Sequence, residues 1–306
     1  MTKAVLAVTG GTGFVGRTLI RLARSQGHLV RALTRSPQAE QDGVEWISGA
    51  LDRPESLHML VKGSDAVIHV AGVVNAPDRA GFEAGNVAGT LAMIQATRDA
   101  GVRRFVHVSS LAAREPELSI YGWSKAKAET LVQASGLDWS IIRPPAIFGP
   151  EDREMLDLFR MARLGYLVLP PEGRISVIEV SDLARLLLAV LSTQDAQAQI
   201  FEADDGQKGG WSHSSFGKAI GFAVGKDVKT LSAPAHLLEL AARLDGFFRG
   251  SGAKLTADRV RYFCHPDWVI DPDKRPPASL WQPDVDTLSG LQSTARAYVE
   301  AGWLKR

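Results

Sequence analysis

Tyr121-Gly122-Trp123-Ser124-Lys125 sets a phenol and an ammonium four residues apart, and Ser110 stands eleven residues before the tyrosine. On a helix, positions i and i+4 lie one turn apart on the same face. A phenol titrates near ~10 and is a poor base at neutral pH. A neighbouring ammonium favours the phenolate and lowers that value. Tyr121 would then exchange a proton with a carbonyl or alcohol oxygen, Lys125 would tune the phenol, and the hydroxyl of Ser110 would hold the reacting oxygen. Taken alone, such a pair also describes an ordinary amphipathic helix, so its meaning depends on what lies around it.

A second group of residues supplies that context. Thr9-Gly10-Gly11-Thr12-Gly13-Phe14-Val15-Gly16 follows a short apolar run, Ala4 to Val8, and opens a helical stretch, Phe14 to Ala23. Gly10 permits a sharp reversal after the strand, Gly13 lets backbone N–H groups approach an anion, and Gly16 lets the helix lie close to the sheet. The helix start adds unpaired donors and the positive end of a dipole. The spacing is G-x-x-G-x-x-G, a variant of the simplest dinucleotide fingerprint. Gly10, Thr12, Gly13, Phe14, Val15 and Gly16 are therefore candidate pyrophosphate-binding residues, and Lys125 would also reach the nicotinamide ribose.

The whole chain sets the limits. It has 306 residues, 45% of them hydrophobic, and a formal net charge of +1. That is enough for one large α/β domain and a smaller one. The balanced charge leaves no electrostatic footprint for nucleic acid. Cys264 is the single cysteine, which excludes an intrachain disulfide and argues against a thiolate metal site. His265-Pro266-Asp267 reads as a turn, and no metal site is expected. No apolar run is long enough to span a membrane. The densest apolar helix, His236 to Phe248, carries Glu239, Arg243 and Asp245 and reads as packed on a core or lining a pocket, with surface membrane contact the lesser option. No targeting segment stands out, so the cytoplasm is the expected location.

Apolar, β-branched runs alternate with helical patterns in the first half. Strands are expected over Val30–Leu33, Val44–Ile47, Ala66–Val70, Phe105–Val108 and Ser140–Ile142. Helices are expected over Arg17–Ser25, Pro54–Leu60, Gly85–Ala100 and Ser124–Ala134. Such alternation predicts a doubly wound parallel sheet with helices on both faces and ligands beyond the carboxyl ends of the strands. Arg143-Pro144-Pro145 breaks the pattern. Beyond it, helices are expected over Glu154–Arg163, Val180–Leu191, Ser215–Val224 and Asp286–Ala301, and Asp271 to Pro283 reads as an irregular surface-bound segment. The expected division is a dinucleotide-binding domain over residues 1–148, with 175–193 returning to it, and a smaller α/β substrate domain over most of 149–306.

The second strand ends Ala32-Leu33-Thr34-Arg35, with no acid to hold a ribose 2′-hydroxyl. An arginine there can pair with a 2′-phosphate through charge-assisted hydrogen bonds. Arg35, with Arg17 and Arg31 as further candidates, favours NADP(H) over NAD(H).

Taken together, these residues resemble the extended short-chain dehydrogenase/reductase superfamily of epimerases, dehydratases and reductases. The likeness rests on Thr9–Gly16, His69-Val70-Ala71-Gly72, Asn86 with Gly89-Thr90, Val108-Ser109-Ser110, Tyr121 with Lys125, and Arg143-Pro144-Pro145 through Phe148-Gly149-Pro150. The resemblance implies a Rossmann-type fold in which Ala71 and Gly72 line the cofactor and Pro144 and Ile147 lie against the nicotinamide. It also implies that Asn86 steadies the sheet near the site and that Val180-Ser181-Asp182-Leu183 carries the chain back to the core domain. Glu179 stands where a histidine is common. The family often has Gly-Asp-Leu after the third strand. Here it is Gly49-Ala50-Leu51-Asp52, so adenine recognition would rest on Leu51 backbone groups. His69 reads as a packed residue at a strand end.

Three functions are compatible with this pattern. One is an NADP(H)-dependent oxidoreductase acting on a small carbonyl or alcohol, whose apolar body would fit a pocket built from Tyr166–Leu169 and Leu237–Phe248. Another is a nucleotide-sugar epimerase or dehydratase, which would use Arg153, Arg160, Arg163 or Arg174 to hold a diphosphate. The last is a non-catalytic NADP-binding accessory protein. The partner is a small-molecule substrate in the first two, and the resemblance allows a homodimer.

Overall fold

The computed structural model describes residues 3–249 and 256–305, the side chains of residues 244 and 246–249 excepted. Strand β1 is Val5–Thr9, followed by helix α1, Phe14–Ser25, and strands β2, Leu29–Thr34, and β3, Val44–Ser48. Helix α2, Pro54–Val61, leads to β4, Ala66–His69, and a one-turn helix α3, Arg79–Phe82, precedes α4, Gly89–Asp99. Then come β5, Arg104–Val108, helix α5, Ile120–Gln133, and β6, Asp138–Arg143. The six strands join a seventh, Gln199–Glu202, in one all-parallel sheet. Its order places Gln199–Glu202 beside β6, then β5, β4, β1, β2 and β3.

The order reverses between β1 and β4, the position where doubly wound sheets open a crevice beyond the strand ends. The central strands are buried almost throughout, which explains their near-continuous apolar sequences. Leu57, Leu60, Met93 and Ile94 from α2 and α4 pack with Val67, Phe105 and Ile141 of the sheet in one core.

Three features depart from the sequence expectations. The helix expected over Gly85–Ala100 is interrupted: Glu83–Ala88 is a π-helical turn that runs into α4. The strand Gln199–Glu202 was not expected. Helix α5 begins at Ile120, earlier than the Ser124 of the apolar pattern, because the Ser119 side chain caps it by accepting from the Gly122 N–H at 3.0 Å.

The chain divides into two compact units. The first comprises residues 1–144, 183–202 and 274–281, and the second comprises 145–182, 203–273 and 282–306. The proline-rich stretch Asp271–Pro283 is irregular apart from a 3₁₀ turn at Pro272–Lys274, and its 274–281 portion is part of the first unit, with Trp281 buried. In the second unit, Phe148, Phe159, Leu167, Phe216, Leu291 and Tyr298 form the core, and the rings of Phe159 and Tyr298 meet edge to face at 5.1 Å.

The strand Tyr166–Leu169 alternates. Leu167 and Leu169 are buried, while Tyr166 and Val168 are exposed, so only half of this stretch turns inward. Ala235–Arg249 is a helix with Leu237 and Leu240 exposed. The side chains of Phe247 and Phe248, expected to help line a pocket, lie outside the described residues. Among the described residues, no helix is long and apolar enough to cross a membrane.

Candidate functional site

Gly10 has φ +73°, and a Cβ there would lie 2.7 Å from the Ala71 nitrogen. The turn closes with the Gly13 N–H donating to the Gly10 carbonyl at 3.0 Å. A Cβ on Gly16 would fall 2.1 Å from that same carbonyl oxygen, so only glycine lets α1 start this close to β1. Gly13 is the N-cap of α1, with no side-chain cap and no acid in the first turn. The N–H groups at this end are therefore left to an outside acceptor, and the local dipole favours an anion. Thr12, Phe14 and Val15 are half-buried around it. A dinucleotide pyrophosphate fits this cradle in charge, donors and clearance.

The end of β2 bears Arg35, which is exposed and makes no hydrogen bond or ion pair among the described residues. Arg31 is engaged elsewhere and is withdrawn as a candidate for a 2′-phosphate. It pairs with Glu45 at 3.3 Å and donates to the Met59 carbonyl at 2.8 Å. Leu51 follows β3 in a turn, and its side chain packs where a Cβ of Gly89 would stand, 2.7 Å from Leu51 Cδ1.

The three candidate catalytic residues all belong to the first unit. Ser110 follows β5, is buried, and its side chain caps the 3₁₀ turn Leu111–Arg114 by accepting from Ala112 N–H at 3.2 Å. The Leu111 N–H donates to the Pro144 carbonyl at 2.9 Å, which ties this turn to the end of β6. Tyr121 is half-buried in the first turn of α5, its ring 6.1 Å from that of Phe82. Gly122 lets α5 approach: a Cβ there would lie 2.7 Å from the Ala112 carbonyl oxygen. Lys125 is buried, and its Nζ donates to the Val108 carbonyl at 2.8 Å. Burial pulls its ammonium down to about 8, and the Glu129 carboxylate on the next turn opposes that fall.

Asn86, in the π-helical turn, ties these parts together. Its Oδ1 accepts from the Val73 N–H at 2.8 Å, and its Nδ2 donates to the Val73 carbonyl and to Ser124 Oγ, at 3.0 and 2.9 Å. Gly72 keeps this corner open, because a Cβ would lie 2.9 Å from Asn86 Oδ1 and 3.4 Å from Lys125 Nζ. π-turns of this kind concentrate at functional sites. Ile147 belongs to the second unit, in the strand Ala146–Phe148, where it pairs with Ile178.

Below the site, His69 is packed as expected. Its ring nitrogens bond Thr9 Oγ1 at 2.7 Å and Thr90 Oγ1 at 3.1 Å. The His107 ring stacks on it at 5.5 Å, and neither His107 nitrogen has a hydrogen-bond partner among the described residues.

Sequence reasoning passed over one group beside the site. Ser109 Oγ donates to Glu129 Oε1 at 2.5 Å, and Arg143 grips both oxygens of Glu129, Nε to Oε1 at 2.8 Å and Nη2 to Oε2 at 2.6 Å. Glu202 takes the other side of the guanidinium at 3.2 Å. Glu129 stands four residues past Lys125, and that spacing was the available signal.

The geometry defines a doubly wound α/β protein with a glycine turn at the carboxyl end of its first strand, suited to a dinucleotide. A family model described as NAD(P)H-binding matches residues 10–194. The chain is 34% identical over 313 residues to a ceramide reductase of Caulobacter vibrioides, covering 99% of this chain and 97% of that protein. It is 24% identical over 332 residues to a UDP-glucose 4-epimerase of Vibrio cholerae, covering 98% and 97%. The solved structure of MoeE5 in complex with UDP-glucose and NAD superposes with a TM-score of 0.74 at 22% identity, over 97% of this chain and 99% of that one, which shows a shared fold. This chain belongs to the NAD(P)H-binding extended short-chain dehydrogenase/reductase superfamily and is an NAD(P)-dependent oxidoreductase.

Proposed function

We propose that the protein reduces a ketone on a lipid-like molecule of the ceramide class with NADPH, and that Ser110, Tyr121 and Lys125 handle the proton. The observation that carries this reading is that the Lys125 ammonium bonds the Val108 carbonyl at the end of β5, next to the turn that holds Ser110 and one helical turn from Tyr121, in the same unit as a glycine turn suited to an anion. The exposed Arg35 guanidinium supports the phosphorylated cofactor, and the full-length similarity to a ceramide reductase supports an apolar, chain-bearing substrate. Bound NADPH supplies the two-electron reduction of the carbonyl carbon. Tyr121 gives its phenolic proton to the carbonyl oxygen as that oxygen gains charge. Ser110 donates a hydrogen bond to the same oxygen and orients it. Lys125, charged and screened from water, stabilises the phenolate that remains until a solvent proton restores it.

The epimerase reading has the Vibrio cholerae relative in its favour. Against it, the four arginines that would hold a nucleotide diphosphate are all engaged within the second unit. Arg160 bonds Asp157 and the Trp303 carbonyl, Arg163 the Val224 carbonyl, and Arg174 the Gly209 and Gly210 carbonyls, while Arg153 stacks on Trp303.

The test follows nicotinamide absorbance with NADPH and a panel of short ketones, long-chain 3-oxo amides and UDP-glucose. Net oxidation of NADPH, faster with the long-chain ketones, is the expected outcome. Interconversion of UDP-sugars without net NADPH loss would replace the reading with the epimerase one. Tyr121→Phe is expected to cut kcat by roughly two to four orders of magnitude while the protein still folds. Survival of activity would remove the tyrosine from its role.

A further inference from the structure

We propose that Ser109 and Glu129 are positioning residues for the reduction, tying the end of β5 to the lysine-bearing helix so that the Lys125 ammonium and the Ser110 hydroxyl keep a fixed relation. The proposal rests on the assignment of Ser110, Tyr121 and Lys125 above.

Three consecutive residues at the end of β5 do different jobs. The Val108 carbonyl accepts from Lys125 Nζ. The Ser109 N–H donates to the Ile142 carbonyl at 2.7 Å, continuing the pairing with β6, and the Ser109 hydroxyl reaches across to Glu129 at 2.5 Å. Ser110 then turns into the 3₁₀ segment that holds its hydroxyl. Glu129 and Lys125 lie one turn apart on α5, so β5 and α5 are joined at two points, by Lys125 to Val108 and by Ser109 to Glu129. Two ties one turn apart prevent the helix from sliding or rotating along the strand end, a motion that would move Lys125 and Ser110 relative to each other. Ångström-scale displacements of this kind cost rate rather than fold.

The carboxylate is itself immobilised. Arg143 at the end of β6 makes a fork with both of its oxygens, and Glu202 holds Arg143 from the neighbouring strand. Glu202 is in turn approached by Arg114 at 3.8 Å and Lys274 at 3.9 Å. Ser109, Glu129 and Glu202 are all at least 96% buried. Two buried carboxylates are thus matched by one shared guanidinium and two flanking cations, an arrangement that holds one geometry.

Glu129 also acts on Lys125 through charge. Among the described residues, the other titratable groups that interact with the ammonium are His107 on β5 and His69 on β4, both held neutral by burial and by the ammonium itself. Glu129 is therefore the anion that opposes the loss of the Lys125 proton.

The experiment measures kcat and KM for NADPH and ketone across pH in the wild type, Ser109→Ala, Ser109→Thr and Glu129→Gln. Ser109→Ala keeps every charge in place and is expected to lower kcat about tenfold with KM for NADPH within about twofold, and Ser109→Thr, which restores the hydroxyl, to recover most of it. Glu129→Gln is expected to move the alkaline limb of the kcat profile to lower pH by about half a unit or more, a shift that a purely structural staple would not produce. If Glu129→Gln does not fold, Ser109→Ala and its rescue decide the matter alone. Wild-type kcat in Ser109→Ala overturns the proposal, as does a fall that Ser109→Thr does not reverse. Failure of the underlying assignment looks different: Tyr121→Phe would then stay active whatever Ser109 does.

Discussion

Just past the end of β2, Arg35 has no group among the described residues to neutralise it, whereas Arg31, four residues earlier on that strand, is spent on Glu45 and Met59. An exposed cation at the end of the second strand of such a fold is suited to a phosphate. Arg35→Ala is expected to weaken NADPH binding by about ten- to a hundredfold, the scale of a lost charge-assisted hydrogen bond, while NADH binding changes by no more than about twofold. Fluorescence titration of both nucleotides checks this, and equal weakening of the two would remove the phosphate assignment. The sequence alone put Arg35 first and kept Arg31 as a further candidate. Only the fold shows which guanidinium already has partners.

At the scale of the element, the glycine turn separates folding from binding. Gly16 faces a carbonyl oxygen that a methyl group would overlap, while a Cβ on Gly13 would come no closer than 3.3 Å to anything, and the φ of −82° at Gly13 suits any residue. Gly16→Ala is therefore expected to lower both Tm and NADPH affinity. Gly13→Ala should leave Tm within a few degrees and, on the proposed placement of the pyrophosphate at this turn, still lose about tenfold or more in NADPH affinity, because its methyl would project toward the anion. Melting curves paired with nucleotide titration read both effects, and unchanged affinity in Gly13→Ala would mean that the anion sits elsewhere. This turn was legible in the sequence because it is local: strand, glycines and helix start are contiguous. The strand Gln199–Glu202 was not legible, since its partner β6 lies more than fifty residues earlier and Gln-Ile-Phe-Glu carries little strand signal alone. The π-turn at Glu83–Ala88 escaped for a similar reason. Its extra residue is held by Asn86 reaching to Val73 and Ser124, contacts that helical periodicity does not register.

Taken as a whole, the molecule buries titratable groups under its central sheet, and its stability should follow them. Burial and the nearby Lys125 charge push His69 down to about 3 and His107 well below its ordinary 6.5. The unfolded chain therefore binds protons that the native chain refuses in this range, and these two residues make stability rise with pH from about 3 up to 6.5. His107 has the added cost of two ring nitrogens without a partner among the described residues. His107→Leu is expected to flatten that rise and to stabilise the protein at pH 7 by about 1 kcal/mol. Urea unfolding at several pH values measures both. An unchanged slope would mean that His107 accepts a proton inside the fold.

The alternation of apolar runs, the glycine spacing and the Tyr-Lys interval were sufficient to place this chain in a doubly wound dinucleotide-binding class, because each is a short-range pattern with one inexpensive structural solution. The tertiary structure decided what those patterns could not carry. Residues 274–281 return to the first unit, Arg31 is occupied, and Ser109, Glu129, Arg143 and Glu202 meet as one buried network. These outcomes depend on residues fourteen to more than a hundred positions apart, brought together by packing and by the need to pair buried charge, and no local interval in the chain encodes that meeting.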